Sequence, residues 1–152
     1  MHLEESVLIS QPIESVWVFL TDTFNAPRIR GGGILGLRLN SSGPPSVGST
    51  LLDRRVVLGF ETRLEHQIIE WNPPHALATS ITGRPFRSWV QRLTLEAVSD
   101  ETKLAYSGEI EFQLAGKLLL PLVGPFVRRQ AHHAIQDLKR LIEAEQPEAA
   151  ES

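Results

Sequence analysis

The hydrophobic period changes three times along the chain. "HLEESVLIS" alternates as a short strand does, from about Leu3 to Ile9. In "PIESVWVFLTD" the period lengthens, and Ile13, Val16, Trp17 and Leu20 fall at i, i+3, i+4 and i+7 on one face of a helix. Pro12 suits the first turn, where its missing N–H goes unused, and Glu14 suits the positive end of the helix dipole. Pro27 and the run Gly31 to Gly33 then loosen the chain and leave room for a short helical turn at most.

Alternation returns at Leu35, which shares a face with Leu37 and Leu39, and it persists to Phe112. "NSSGPPSVG" is a turn segment, and "STLLDRRVVLGFETRLEHQIIEW" reads as two strands broken near Gly59. "NPPH" turns the chain before a strand in "ALATSIT". "RSWVQRLTLEAV" places Trp89, Gln91, Leu93 and Leu95 together, and "SDET" is a further turn. In "KLAYSGEIEFQL", Leu104, Tyr106, Ile110 and Phe112 lie opposite Lys103, Ser107, Glu109 and Glu111.

The period lengthens again from about Gly116 to Glu145, where Leu119, Val123, Val127, Ala131, Ala134, Leu138 and Leu141 form one helical stripe. Its opening, "KLLLPLVGPFVRR", is the most apolar part of the chain. It is uncharged only from Leu118 to Val127, which falls short of the roughly 20 residues a membrane span needs. Pro121, Gly124 and Pro125 predict a kink or an unwound turn there. Each strand has one apolar face, so the pattern predicts an α+β fold: an antiparallel sheet, wet on one side and covered on the other by the helices. Residues 1–145 read as a single domain, and the polar segment 146–152 as a disordered tail.

Composition narrows the field. A formal net charge of -3 argues against a nucleic-acid partner. The chain has no cysteine, hence no disulfide frame and no thiol nucleophile. The N-terminus lacks the pattern of a signal peptide, so the expected location is cytoplasmic.

Candidate chemistry lies in polar side chains that share a face with apolar ones. His66 has the parity of Phe60, Thr62, Leu64 and Ile68; Gln91 has that of Trp89; Tyr106 has that of Ile110 and Phe112. Gln130 falls in the stripe of the last helix, with His133 and Asp137 at its edge. Taken singly, each is more simply a satisfied core residue. Four together exceed what a sealed core needs, because buried polar groups are costly unless paired, and they suggest a pocket. His132 and His133 diverge by about 100°, and His133 with Asp137 supplies fewer ligands than zinc requires, so no metal is expected. No GxSxG, GxGxxG or GxxxxGK[ST] motif occurs, and no cofactor is expected.

The order of elements, together with "VWVFLTD", "VGS", "EWNPPHAL" and "LAYSGEIEF", resembles the START-like polyketide cyclase/dehydrase and lipid-transport (SRPBCC) superfamily across roughly Glu5 to Glu143. The resemblance implies a helix-grip fold. In it a curved antiparallel sheet of about six or seven strands wraps a long C-terminal helix, and an N-terminal helix and a short second helical turn follow the first strand. It also implies an internal cavity and a hydrophobic ligand such as a lipid, polyketide or quinone, without supplying a catalytic motif.

The expected function is therefore ligand binding in a carrier, sensor or accessory role. His66, Trp89, Gln91, Tyr106, Ile110, Phe112, Phe126 and Gln130 are the candidate ligand contacts. A cyclase or dehydratase using His66 and Tyr106 is the enzymatic alternative, and a protein-interaction module without ligand is another. A homodimer stays open.

Overall fold

The computed structural model describes residues 1–30 and 32–145. Gly31, in the stretch expected to be loose, and residues 146–152, expected to be a disordered tail, lie outside the described residues. In chain order the elements are β1 (His2–Ile9), α1 (Ile13–Thr21), a 3-10 helix (Thr23–Arg28), β2 (Ile34–Leu39), β3 (Thr50–Val57), β4 (Phe60–Asn72), β5 (Ala76–Gly83), β6 (Phe86–Val98), β7 (Glu101–Phe112) and α2 (Leu114–Ala144).

Among the described residues the strands form one antiparallel seven-stranded sheet in the order β1-β7-β6-β5-β4-β3-β2. β2 to β7 follow one another as neighbours, and β1 pairs with β7 at the far edge, from Leu3 opposite Gly108 to Ile9 opposite Thr102. The helical segment between β1 and β2 carries the chain from one edge to the other. This is the helix-grip arrangement: the curved sheet holds α2 against its inner face. Among the described residues, no helix is long and apolar enough to cross a membrane.

Local chemistry accounts for the element ends. α1 buries Ile13, Val16, Trp17 and Phe19, and the Thr21 hydroxyl bonds back to the Trp17 carbonyl at 2.8 Å. The Asp22 carboxylate then accepts from the Phe24 amide at 3.0 Å and starts the 3-10 helix. The β3–β4 connection is only Leu58-Gly59, both at positive φ, which matches the twist of a tight hairpin.

Four register shifts interrupt the ladders, and two of them bear on the alternation read from the sequence. One lies between Ile34 and Gly36, so Ile34 and Leu37 face inward while Leu35 turns out. The other lies between Ile68 and Glu70; it exposes Ile69 and brings Trp71 to the inner face. Phe60, expected inside, is 77% exposed, because it sits at the hairpin tip beyond the reach of α2.

The C-terminal half of α2 seals one core. Ile135, Leu138 and Ile142 pack with Ile9, Ile13, Val16 and Leu104. Polar ties hold this half to β1 and its exit. Lys139 Nζ donates to the Leu8 carbonyl at 2.6 Å, and the Glu143 carboxylate accepts from the Ser10 amide at 2.8 Å. A second cluster joins Leu3, Leu64, Ile81, Phe86, Trp89, Ile110 and Phe112, with Leu120, Val127 and Ala131 of α2 against it. The stripe expected on α2 is thus shifted: Leu119 is exposed, and Ile135 and Ile142 join Leu138 in the deepest places. Helical structure also continues through Pro121 and Pro125 without the expected unwinding. The carbonyls left without an amide partner belong to Lys117 and Pro121, which are exposed residues.

Candidate functional site: a hollow under the long helix

Between the sheet and α2 lies a cavity of about 460 Å³, walled mainly by apolar side chains including Leu37, Leu51, Ile68, Leu77 and Ile135. Strand register places its polar groups in rows. Leu51, His66, Ile81, Trp89 and Ile110 follow one another across β3 to β7. The next row is Ile68, Thr79, Gln91 and Gly108, and the third includes Leu77, Leu93 and Tyr106. Polar side chains therefore sit side by side on the cavity floor, not scattered through it.

On the β3–β4 side, Asp53 is fully buried and accepts three bonds at a single oxygen. Arg55 Nε and Nη2 donate to its Oδ2 at 2.9 and 2.5 Å, and His66 Nε2 lies 2.7 Å from the same atom. A carboxylate only accepts, so this pairing puts a proton on Nε2. Burial alone would raise the Asp53 pKa. The His66 hydrogen bond and the charge and hydrogen bond of Arg55 outweigh it and hold the pKa below its ordinary value. The Arg55 guanidinium also stacks on Trp89, 4.9 Å from the ring centroid.

On the β6–β7 side, the Tyr106 hydroxyl donates to Gln91 Oε1 over a long 3.4 Å. The ring reaches the Gln91 row by lying across Gly108: a Cβ at that glycine would fall 2.7 Å from the hydroxyl oxygen. Burial raises the Tyr106 pKa, and the nearby Trp89 indole and the Arg55 charge oppose it without reversing it. The hydroxyl is thus a neutral donor at physiological pH. Asp53 Oδ1, Thr79 Oγ1 and the Trp89 indole Nε1 are buried with no hydrogen-bond partner among the described residues. Unpaired buried groups are rare and mark places where a polar partner would be stabilising.

His66, Trp89, Gln91, Tyr106, Ile110, Phe112 and Gln130 all line this cavity. Phe126 does not. It is half exposed and borders a separate outer groove of about 600 Å³, with Arg30, Arg129, Gln130, His133, Asp137 and Arg140. The reason is angular: Val127 points inward, and its neighbour Phe126 lies about 100° away around the helix. Sequence reasoning missed Asp53, Arg55 and Thr79. The signal was present for the first two, since they share the parity of Leu51 and Val57, which both line the cavity. Among the described residues, no group of three or more His, Asp or Glu side chains is placed to hold a metal ion.

A sequence model of the family described as polyketide cyclase / dehydrase and lipid transport matches residues 1–143. The chain belongs to that family. No curated protein matches it by sequence. Among solved structures, family-type folds superpose over nearly the whole chain. A Thermus thermophilus protein matches with TM-score 0.78 and 15% identity, covering 95% of this chain and 98% of that one. The Zhui aromatase/cyclase from Streptomyces sp. R1128 matches with TM-score 0.77 and 15% identity, covering 94% and 93%. A START superfamily protein from Mycobacterium smegmatis matches with TM-score 0.72 and 19% identity, covering 94% of each chain. At these identities the likeness shows a shared fold.

Proposed function

We propose that this protein binds a hydrophobic small molecule with at least one polar group, of the lipid, polyketide or quinone kind, as a carrier, sensor or accessory protein. The supporting observation is the hollow itself: apolar walls enclosing a floor where His66, Thr79, Gln91, Trp89 and Tyr106 lie side by side. Its volume of about 460 Å³ falls in the range of small-molecule sites. Apolar contact supplies affinity at roughly 25 cal/mol per Å² buried. His66, Gln91, Tyr106 and Gln130 orient the polar end, and Trp89, Ile110 and Phe112 supply apolar surface.

Native mass spectrometry of gently purified protein tests this reading. The expected result is a co-purified molecule of discrete mass that is lost in Gln91→Phe, whose larger ring fills the floor. If that variant, still folded, retains the molecule unchanged, the cavity is not where it binds.

A second reading is favoured by the Asp53–His66 hydrogen bond, which fixes the imidazole tautomer as a general base requires. In a cyclase or dehydratase, His66 would take a proton beside a substrate carbonyl, and the Tyr106 hydroxyl would hydrogen-bond the developing enolate oxygen. The fold is shared with a protein named aromatase/cyclase. The ligand recovered above, incubated with fresh protein, distinguishes the two. Conversion that disappears in His66→Gln supports an enzyme, whereas unchanged ligand supports a carrier.

A further inference from the structure

On the outer side of α2, Leu118, Leu122 and Phe126 recur every four residues and are 79%, 77% and 48% exposed. Such a row drifts about 40° per step around a helix. Its next member is Gln130, which lines both the outer groove and the cavity. The row therefore leads to the cavity mouth. Gly33 and the β3–β4 hairpin meet there: the Val56 amide donates to the Gly33 carbonyl at 2.8 Å, and a Cβ on Gly33 would lie 3.7 Å from Gln130 Nε2. Two more elements add exposed apolar side chains to this rim, Leu58 at the hairpin tip and Phe24, 87% exposed, in the 3-10 helix.

Beside the apolar row lies positive charge. Arg30, Arg129 and Arg140 border the outer groove, against the single carboxylate of Asp137. That carboxylate is already occupied by the Arg30 amide at 2.6 Å and by Arg140. Among the described residues, neither the Arg30 nor the Arg129 side chain forms an ion pair. The chain as a whole carries a formal charge of -3, so this basic edge is local.

We propose that this face docks on the surface of an anionic lipid bilayer, with Leu118, Leu122 and Phe126 entering the headgroup–acyl boundary and Arg30 and Arg129 against the headgroups. The exposed apolar side chains come from three elements, with Phe24 and Leu58 at the cavity rim and Phe126 at the outer groove, so no single slot collects them. A bilayer accepts side chains in any register, whereas a peptide partner needs a slot. Docked this way, the cavity mouth opens where a water-insoluble ligand would enter. That last step rests on the binding reading above; the docking does not.

The test is flotation with vesicles of phosphatidylcholine, with and without phosphatidylglycerol, at low and high salt. The wild-type chain should float with the anionic vesicles and much less with the neutral ones or in high salt. Leu122→Glu/Phe126→Glu should lower flotation about tenfold and leave the melting temperature unchanged, since both residues are exposed. Arg129→Glu should lower it severalfold. The proposal is overturned if the wild-type chain stays with the buffer, or if the double variant floats equally well. It is also overturned if the double variant instead abolishes a concentration-dependent dimer of a chain that ignores vesicles, since a second copy then covers this face. Displacement of a fluorescent fatty acid in solution separates the two readings. Gln91→Phe should lose the probe yet still float, and the double variant should keep the probe and not float.

Discussion

The two halves of α2 meet opposite fates, and the more apolar N-terminal half is the more exposed one. In the C-terminal half, Ile135, Leu138 and Ile142 are buried on α1 and the strands, and polar ties to β1 hold the helix down. In the N-terminal half, Leu118 and Leu122 face solvent, and the inward residues Val127 and Ala131 look onto a hollow. What differs is the layer beneath. α1 fills the space under one end, and nothing equivalent fills the space under the other. Burial is thereby concentrated where the helix is sealed, and open volume where it is not. The same contrast separates Leu104, wholly buried, from Tyr106 two residues along β7, whose hydroxyl faces the cavity.

The sharpest way to break this comparison is to weaken the sealed end. Leu138→Ala removes a side chain that is 4% exposed and should cost about 3–4 kcal/mol, seen as a large drop in thermal midpoint. Next comes the ion cluster at the hollow. Asp53→Asn leaves the Arg55 charge without its carboxylate and should cost about 2 kcal/mol at neutral pH, the open cavity softening the penalty for a buried pair. Its pH dependence follows from the depressed Asp53 pKa. The pair contributes fully above the unfolded carboxyl value, and the contribution is lost as pH falls through the folded value. The wild-type midpoint should therefore decline below about pH 4 more steeply than that of Asp53→Asn. A smaller effect, of opposite sign, is expected from Thr79→Val. Removing an unpartnered buried hydroxyl should leave stability equal or raise it by about 1 kcal/mol while weakening ligand retention in native mass spectra. Leu122→Ala should change stability by less than about 0.5 kcal/mol, and a change matching that of Leu138→Ala would erase the distinction between the halves.

Most of the architecture was legible in the periodicities. The seven strands, both α-helices and the helical turn after α1 follow from runs whose length and period leave little choice. The floor of the hollow was half legible, because His66, Gln91 and Tyr106 each share a strand face with unmistakably apolar neighbours. Asp53 and Arg55 were not read as inward. Each is charged, and their strand has apolar residues on both faces, Leu51 and Val57 on one and Leu52 and Val56 on the other. Only the three-dimensional meeting of β3 and β4 shows that the charges satisfy one another. The bulges at Leu35 and Ile69 were invisible for a different reason: an extra residue reverses parity without changing composition. Phe126 was misplaced because a run apolar on all sides does not say which side faces in.

Gly108 offers a separate lever on this molecule. It meets the hollow only through the aromatic ring that lies across it, yet its missing methyl is what lets that ring lie flat. An alanine there would lift the phenol away from Gln91 and toward the lumen, changing both the shape of the chamber and the spacing of its donors. On the proposed binding reading, one backbone hydrogen would act as a selectivity dial, shifting what the chamber accepts while the residues that meet the guest stay unaltered.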